Sequence, residues 1–564
     1  MKDTEDYDVV IVGAGPVGLA LAIELGAREV RCLIVERNNR VGYAPRAKTT
    51  NARTRTHLRR WGIANRLAAA SPFGVDYPSN VVFTTRLSGF ELARFSNAFD
   101  AAPSPNPLYP EHAQWIPQYK LEEVMRAHVA TLQSVELSFS TELESFTQDG
   151  EHVYVNLRRV DDARVFSARA SYLVGADGAR SNVREIIGAT MAGRHGLSYN
   201  YNIIFRAPGL AQAHRHGPAI MYWQVNGDAP SVLGPMDRDD VWFIGIVGLP
   251  KDATLSDDEA RQHIARATGI DLPFEILSSD QWVASRLIAD KYRKGRVFLA
   301  GDACHLHPPF GGYGMNMGIG DGADLGWKLA AVLQGWGGER LLDSYEEERK
   351  PVHEWIMDEA EANHSVLGQQ LFQAGIEEDS EAGEQLRRIV GERILRAKKR
   401  EFHTLGAVLG YCYRGSSVLI AEDAEVAADV GRYEPSSRPG CLAPHIWLSN
   451  GASLYDFFGK GFTLLAWRPD DALGAARQAS ELGIPLSVVG LPENATPALY
   501  PAQLTLVRPD QHVCWRGEVW DTQILSKVTG RSRMSSTANS EPTRSPSGTP
   551  STQDLYLQKH KPPT

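Results

Sequence analysis

Residues 7–18 read YDVVIVGAGPVG, an apolar run rich in valine that leads directly into a turn with three glycines. The apolar run predicts a buried parallel strand, and LALAIELGA after the turn predicts a helix. A second apolar stretch, Val30 to Val35, ends at Glu36, about 20 residues beyond the second glycine. In this arrangement the helix N-terminus presents free N–H groups to phosphates, and the acid accepts ribose hydroxyls. The segment therefore predicts an α/β fold that binds FAD or NAD at the edge of a parallel sheet.

The composition excludes several classes of partner. The chain of 564 residues carries a formal net charge of -9, which gives no basic footprint for nucleic acid. No apolar run approaches the roughly 18 residues of a membrane span, and the acidic N-terminus, MKDTEDYD, is unlike a secretory signal. The five cysteines are scattered without a C-x-x-C pair, which argues against a disulfide framework, a metal site or a redox dithiol. We expect a cytoplasmic protein without a membrane span.

Two later segments place a carboxylate after an apolar strand. Residues 173–184 read LVGADGARSNVR, and residues 297–316 read VFLAGDACHLHPPFGGYGMN. Asp177 and Asp302 each follow such a strand beside a glycine, which is where ligands bind in a doubly wound sheet. Either aspartate alone could be a helix N-cap. Following the glycine turn in this order, the two segments favour FAD as the bound dinucleotide.

Together with the glycine turn, these segments resemble those of the group A flavoprotein aromatic hydroxylases, the phenol hydroxylase and para-hydroxybenzoate hydroxylase family, over most of residues 5–365. The resemblance implies a Rossmann-type FAD-binding domain and a mixed-sheet substrate domain. It also implies a single-component FAD-dependent monooxygenase that uses NAD(P)H and O2. In that family a flavin hydroperoxide hydroxylates an aromatic molecule, here a phenolic or polyketide-like one, in secondary metabolism or aromatic catabolism.

The resemblance implies roles for individual residues. Asp302 is expected at the ribityl chain, and Glu36 on the ADP half. Arg46 is expected near the flavin and pyrophosphate, and Gln118 at the polar chain of the flavin. Asp177 lies in a segment linked to both FAD and NAD(P)H binding. The full set of expected cofactor contacts is Gly13, Gly15, Pro16, Val17, Gly18, Glu36, Arg37, Arg46, Gln118, Asp177, Asp302, Pro309, Gly314, Met315 and Asn316.

A helix is predicted from near Asn316 through the segment ADLGWKLAAVL, which has apolar residues at helical spacing. If its N-terminus faces the flavin, the helix dipole stabilises the negative charge that reduction places there. Three residues of this region, Tyr313, Gly322 and Asp324, depart from the commonest family pattern. Asp324 is expected to pair with Lys328 one turn further on.

The sequence assigns no catalytic residue. His195 and His305 are weak candidates for a base that deprotonates a phenol, and His305 fits better as a structural hydrogen-bonding group. Three aromatic residues in strand-like runs, which could line the substrate pocket, are Tyr222, Trp223 and Trp242. Aromatic residues in strands are nevertheless more often part of a plain core. No set of metal ligands is recognised.

The predicted organisation has five parts. The FAD-binding domain is discontinuous (1–185 and 290–400), as is the substrate domain (80–110 and 186–289). A helical connection and linker (401–435) precede a thioredoxin-like domain without redox cysteines (436–528). The final segment (529–564) is rich in Ser, Thr and Pro and is predicted to be disordered. The charged, helix-like stretch after residue 340 is a candidate homodimer surface.

Three other functions stay open at this point. The same oxygen chemistry could give epoxidation or Baeyer–Villiger insertion on a polyketide-type substrate. A flavin disulfide reductase is disfavoured because no cysteine pair follows the glycine turn. A flavin-binding regulatory protein without turnover is the non-enzyme alternative.

Overall fold

The computed structural model describes residues 5–39, 47–251, 253–365, 368–422 and 428–531. Its strands, in chain order, are β1 Glu5–Val12, β2 Cys32–Val35, β3 Thr49–Thr50, β4 Val81–Thr84, β5 Glu91–Phe95, β6 Gln114–Trp115, β7 Val135–Ser138, β8 Thr141–Gln148, β9 Val153–Arg159, β10 Val165–Gly175, β11 Met191–Arg206, β12 Met221–Gln224, β13 Ser231–Asp237, β14 Val241–Leu249, β15 Glu275–Ala289, β16 Arg293–Lys294, β17 Val297–Leu299, β18 His305–Leu306, β19 Phe462–Ala466, β20 Leu486–Gly490, β21 Leu504–Val507 and β22 Val513–Gly517.

The α-helices are α1 Pro16–Gly26, α2 Ala52–Arg60, α3 Ala64–Ala69, α4 Gln118–Val129, α5 Asn182–Ile186, α6 Asp257–Thr268, α7 Tyr313–Leu333, α8 Glu339–His364, α9 Gly368–Leu371, α10 Glu381–Phe402, α11 Leu405–Leu409, α12 Leu473–Glu481 and α13 Ile524–Val528. Short 3-10 helices cover Ala98–Asp100, Gly301–Ala303, Leu454–Phe457 and Pro469–Ala472. In the described part of the chain, no helix is both long and apolar enough to cross a bilayer.

The first sheet is the parallel sheet that the glycine turn predicts. Five parallel strands run in the order β17-β10-β1-β2-β7, and β8 and β9 extend the sheet from β10 as an antiparallel hairpin. Residues 9–12 of β1 are all buried, as expected for a strand that is covered on both faces. Helix α7 packs closely against α1. The contact leaves no room for a side chain at Gly322, where a Cβ would lie only 2.8 Å from the carbonyl oxygen of Val17.

The second sheet is mixed and has eight strands in the order β18-β15-β11-β14-β13-β12-β4-β5. Only the β12–β4 pair is parallel. Helix α6 covers one face, where its Ala260 and Ile264 pack against Tyr222, Trp242 and other buried residues of the sheet. The opposite face, called the inner face below, carries Phe243 and Trp223. This mixed sheet matches the substrate domain expected from the resemblance.

The third sheet is small and lies near the C-terminus, with the strand order β20-β19-β21-β22. Strands β19 and β20 are parallel and are joined by α12, whereas β21 and β22 are antiparallel and are followed by α13. This order of elements is that of the thioredoxin-like unit predicted from the sequence.

The cysteine spacing argues against a disulfide framework, and the structure corrects this to the extent of one disulfide bond. Cys412 and Cys441 are bonded, and 29 positions separate them in the chain. Their pairing depends on a loop that returns to the same place before the third sheet, which the spacing alone does not show. The other cysteines, Cys32, Cys304 and Cys514, are free and buried.

The structure also moves the predicted start of the C-terminal tail. Thr529 and Gly530 are buried, and the carbonyl of Thr529 accepts a hydrogen bond of 2.8 Å from the backbone N–H of Gly338. The ordered chain therefore continues beyond the predicted boundary at 529, because these residues close the gap between α13 and the start of α8. The rest of the predicted tail, 532–564, lies outside the described residues.

A group of buried charges joins the third sheet to α7 and α8. The guanidinium of Arg508 lies 2.6 Å from Glu348, 3.0 Å from Asp324 and 2.6 Å from Asp510. Lys328 contacts Asp324 at 2.8 Å, which confirms the predicted pair, and Glu348 at 2.6 Å. Burial raises the pKa of Asp324 to about 7. Burial opposes ionisation of Glu348 as well, but Arg508 and Lys328 hold the pKa of that carboxyl at about 2.

Removing the Arg508 charge should destabilise the whole fold. Arg508→Met leaves Glu348 and Asp510 buried without their main cation, so we expect a loss of about 3 kcal/mol or more in the free energy of unfolding. Urea unfolding followed by circular dichroism measures the loss. Arg388→Met is the matched control, because Arg388 is exposed and meets only Glu392 on the surface of α10. Equal unfolding midpoints for the two variants would contradict a structural role for the buried charges.

Candidate FAD and substrate site

Four neighbouring strands of the first sheet deliver the predicted cofactor residues to one edge. The glycine turn follows β1, Glu36 follows β2, Asp177 follows β10 and Asp302 follows β17. Because all four strands are parallel and adjacent, their carboxyl ends meet at the same edge of the sheet. This is the edge at which doubly wound folds bind their ligands.

The glycine turn is tight where the fold requires it and open where a ligand would lie. Gly13 has a φ of +105°, and a Cβ on Gly18 would lie 1.9 Å from the carbonyl oxygen of Gly13. Gly15 caps α1, Pro16 is the first residue of that helix, and a Cβ on Gly15 would meet no atom within 4 Å. The free N–H groups of α1 therefore face open space, which suits a pyrophosphate.

Glu36 is held beside this turn by backbone hydrogen bonds. One carboxylate oxygen accepts from the N–H of Ala14 at 3.0 Å, and the other accepts from Asn38, at 3.0 Å from its backbone and 2.7 Å from its side chain. A carboxylate has four acceptor sites, so Glu36 keeps capacity for ribose hydroxyls. Arg37 is exposed next to it.

Asp302 lies in the 3-10 turn against the start of α1. A Cβ on Gly301 would come within 2.7 Å of the Val17 side chain, so this turn and the glycine turn are in direct contact. Arg184 donates a hydrogen bond of 3.1 Å to the carbonyl of Ala303 and thereby joins the segment 173–184 to the segment 297–316. Asp302 is partly buried in this turn.

The Asp177 carboxylate is occupied by hydrogen bonds within the protein. Its oxygens accept from the Ser181 hydroxyl at 2.5 Å and from the Val183 N–H at 3.1 Å, so it stabilises the start of α5. Burial raises the pKa of Asp177. The residue therefore shapes the loop beside the glycine turn, where the carbonyl of Ala176 lies against Gly13.

Beneath the Asp302 turn, a fully buried carboxylate collects four donors. Asp321 of α7 accepts from the Gly301 N–H at 3.0 Å and from Arg349 at 2.8 Å. Its oxygens also lie 2.7 Å from a ring nitrogen of His305 and 2.9 Å from one of His353. Burial lowers the pKa of His353 to about 3, so that imidazole is neutral at ordinary pH. His305, one of the two base candidates, is thus a buried structural group in this cluster.

The histidines of this cluster do not form a good metal site. His305, His307 and His353 bring three ring nitrogens close together. The rings of His305 and His353 are, however, stacked at 3.7 Å with an angle of 24° between their planes. A metal lies in the plane of each imidazole that binds it, and nearly parallel rings direct their lone pairs side by side rather than at one point.

Helix α7 begins at Tyr313, three residues before the predicted start, with Gly312 as its N-cap. Asn316 lies in its first turn and is fully engaged. Its amide donates to the carbonyls of Thr49, at 2.8 Å, and Gly312, at 2.7 Å, and accepts from the Asn51 N–H at 3.0 Å. Asn316 therefore fixes the N-terminus of α7 against β3 rather than presenting its side chain to a ligand.

The remaining expected contacts surround this helix start. Gly314 and Met315 lie partly buried in the first turn of α7, and Pro309 is exposed just before it. Gln118 begins α4, where its backbone N–H donates to the carbonyl of Ala47 at 2.9 Å and its side chain to Glu122 at 2.8 Å. Arg46 lies outside the described residues.

The three aromatic substrate candidates lie on two different faces of the second sheet. Trp223 lies on the inner face, where its ring centroid is 5.6 Å from that of Phe83 and 6.3 Å from that of Phe310, which belongs to the segment 297–316. Tyr222 and Trp242 lie on the opposite face, packed under α6. Side chains alternate along a strand, so the neighbours Tyr222 and Trp223 cannot share a face. His195, the other base candidate, is exposed on β11 and meets Ser285 at 2.9 Å.

Comparison with known proteins gives this site its family. Residues 6–360 match the family described as "FAD binding domain", and residues 436–532 match "Aromatic-ring hydroxylase, C-terminal". The chain belongs to the family of FAD-binding aromatic-ring hydroxylases. It is a flavoprotein monooxygenase of group A, as the sequence segments indicate.

Named relatives and solved structures span nearly the whole chain. Tetracenomycin B2 monooxygenase-dioxygenase of Streptomyces olivaceus is 34% identical, over 92% of this chain and 96% of its own length. The 2,4-dichlorophenol 6-monooxygenase of Delftia acidovorans is 32% identical, over 91% and 95%. RebC with bound 7-carboxy-K252c superposes with a TM-score of 0.87 at 34% identity, covering 94% of this chain and 100% of RebC. Aklavinone-11 hydroxylase in a ternary complex with FAD and aklavinone gives 0.80 at 30%, with the same coverage.

FAD is the cofactor of the hydroxylase, and the residues at the sheet edge fit it. The open N-terminus of α1 suits its pyrophosphate, Glu36 the adenosine ribose, and the Asp302 turn the chain between phosphate and ring. When bound, FAD supplies the activation of O2 and the transfer of one oxygen atom to the substrate. The protein supplies the positions of the two ligands and a site that excludes water.

Two glycine substitutions should separate cofactor binding from folding. Gly15→Ala places a methyl group in open space, so we expect normal stability but about tenfold or greater loss of FAD affinity. Gly18→Ala drives a methyl group into the Gly13 carbonyl, so we expect about 3 kcal/mol of destabilisation. Flavin absorbance after gel filtration and urea unfolding of the apoprotein measure the two effects. Gly150→Ala, a surface glycine with no nearby atoms, is the control, and unchanged flavin content in Gly15→Ala would contradict the assigned pyrophosphate position.

Proposed function

We propose that the hydroxylase acts on a fused-ring aromatic polyketide that carries a phenolic hydroxyl, with NAD(P)H as the reductant. The observation that carries this proposal is the inner face of the second sheet. This face carries apolar and aromatic side chains that pack against Phe310, β6 and α10, and its residues include Ile204, Met221, Trp223, Val232 and Phe243.

The inner face carries aromatic side chains that meet two other parts of the chain. One pair, Trp223 and Phe310, reaches the segment 297–316, and the other, Phe243 and Trp115, reaches the two-stranded sheet that β3 and β6 form, with ring centroids 6.3 Å apart in each pair. The indole N–H groups of Trp115 and Trp223 are buried and have no hydrogen-bond partner among the described residues. Polar atoms on a flat substrate, such as quinone or phenol oxygens, are suitable acceptors for them.

The relatives' names support the same substrate class. The matched hydroxylases act on tetracenomycin B2 and, in the solved complex, bind aklavinone, whereas another relative acts on 2,4-dichlorophenol. The two indole N–H groups at the inner face that lack a partner among the described residues suit a substrate with polar atoms on more than one ring better than a single chlorinated ring. The multi-ring class is therefore the better fit to this chain, and a single-ring phenol is the alternative that the experiment must separate.

The substrate class can be tested by kinetics on a panel of matched phenols. We expect O2-dependent oxidation of NADH or NADPH to be stimulated more by hydroxylated naphthacenequinones and anthraquinones than by phenol or 2,4-dichlorophenol, with about tenfold or greater difference in kcat/KM. Product mass should increase by one oxygen atom. Stimulation by single-ring phenols alone would contradict the proposed class. Insertion of oxygen beside a ring ketone, with the ketone carbonyl signal replaced by that of a lactone, would instead indicate a Baeyer–Villiger reaction.

A further inference from the structure

A lysine that the sequence segments do not single out projects toward the inner face. Lys48 directly precedes β3, and its backbone carbonyl accepts a hydrogen bond of 2.8 Å from the N–H of Ile116. The next residue, Thr49, is tied to the start of α7 through Asn316. The Lys48 side chain extends away from this anchor, and its Nζ lies 4.0 Å from the centroid of the Phe243 ring.

The Lys48 amino group has a cation–π contact in place of an ion pair. Among the described residues, no carboxylate and no hydrogen-bond acceptor meets its Nζ. An aromatic ring stabilises the charge of a buried ammonium far less than water or a carboxylate does. Burial accordingly lowers the pKa of Lys48 to about 8. A lysine held in this way is able both to exchange a proton near neutral pH and to bind an oxygen anion.

The other charged groups that the structure describes around this position are already paired with one another. Tyr119 of α4 packs in the same cluster as Phe243 and donates its hydroxyl to Asp237 of β13. Lys120 lies 4.0 Å from the same carboxylate. Phe243 on β14 and Trp115 on β6 contribute no charge. Among the residues that the structure describes here, the amino group of Lys48 is therefore the cation that remains available to a ligand.

We propose that Lys48 is the binding site for the phenolic oxygen of the substrate and the acceptor of its proton. In this step the O–H bond of the phenol breaks, and the proton forms the third N–H bond of the Lys48 ammonium. The resulting phenolate stays beside that ammonium as an ion pair. A phenolate pushes more electron density into its ring than a phenol, so the ring becomes a better acceptor of the oxygen atom that the cofactor delivers.

This inference rests on the proposed substrate class, and its main test reports directly on ionisation of the ligand rather than on turnover. The probe is quinizarin, a dihydroxyanthraquinone whose absorption moves to longer wavelength when a hydroxyl ionises. Quinizarin is bound to the FAD-loaded protein without reductant and titrated with pH. With the wild-type protein we expect the bound dye to ionise about one pKa unit or more below the free dye, because the adjacent ammonium stabilises the anion.

Three variants give the comparison. Lys48→Met keeps the length and apolar contact with Phe243 but removes the charge, so the bound dye should ionise no earlier than the free dye. Lys48→Arg restores a cation and should restore most of the shift. Lys291→Met is the control, because Lys291 lies at the surface and pairs only weakly with Asp290, 3.6 Å away. Flavin absorbance checks that each variant retains FAD.

The possible results distinguish this inference from the proposed function. A shift that is lost in Lys48→Met and kept in Lys48→Arg and Lys291→Met supports the ion pair between Lys48 and the phenolate. Turnover that is lost in Lys48→Arg despite the kept shift supports Lys48 as the proton acceptor, because arginine cannot accept a proton. Dye that binds and ionises equally in the wild-type protein and Lys48→Met would overturn the role of Lys48 while leaving the substrate class intact. A wild-type protein that retains FAD but binds neither quinizarin nor other fused-ring phenols would overturn the substrate class and this inference with it.

Discussion

One buried carboxylate, Asp321, holds together the elements that form the cofactor edge. It accepts the Gly301 N–H of the Asp302 turn and the Arg349 guanidinium of α8, and it meets the imidazoles of His305 and His353. The turn, α7 and α8 are therefore fixed around one anion, whose pKa these neighbours hold well below its usual range despite burial. Because α7 also packs on α1, the same anchor sets the distance between the glycine turn and the start of α7.

A second set of buried charges joins the third sheet to helices α7 and α8. Arg508 reaches Glu348 of α8 and Asp324 of α7, which lies one helical turn beyond Asp321. A redox role for the thioredoxin-like unit is disfavoured, because Cys514, the free cysteine in its strands, is buried and burial raises the pKa of its thiol. The unit instead supports the two helices that carry the flavin edge. This gives a physical reason for a C-terminal domain in a hydroxylase whose chemistry lies elsewhere.

The sequence predicted well which strand ends meet at one edge of the first sheet, because local patterns encode the strands and the turns after them. The glycine turn, Glu36 and Asp302 each follow an apolar strand, and parallel strands bring such positions together. The substrate face was less predictable, since Trp223 and Tyr222 differ only in the side of the sheet to which they point. Lys48, Arg349 and the Cys412–Cys441 bond gave no local signal, because their significance comes from partners distant in the chain. The adjacency of Asp177 to a strand was correctly predicted, but its hydrogen bonds to Ser181 and Val183 were not.

In the proposed reaction, the protein directs one atom of O2 into an aromatic ring at the edge formed by the glycine turn and the Asp302 turn. The most direct measurement is a single reaction of the FAD-loaded protein with NAD(P)H, a fused-ring phenol and isotopically labelled O2, followed by mass spectrometry of the product. We expect one labelled oxygen atom in the product, and we expect NAD(P)H consumption to rise when the phenol is present. Product oxygen that comes from water, or reductant consumption that yields only hydrogen peroxide whether or not the phenol is present, would contradict it.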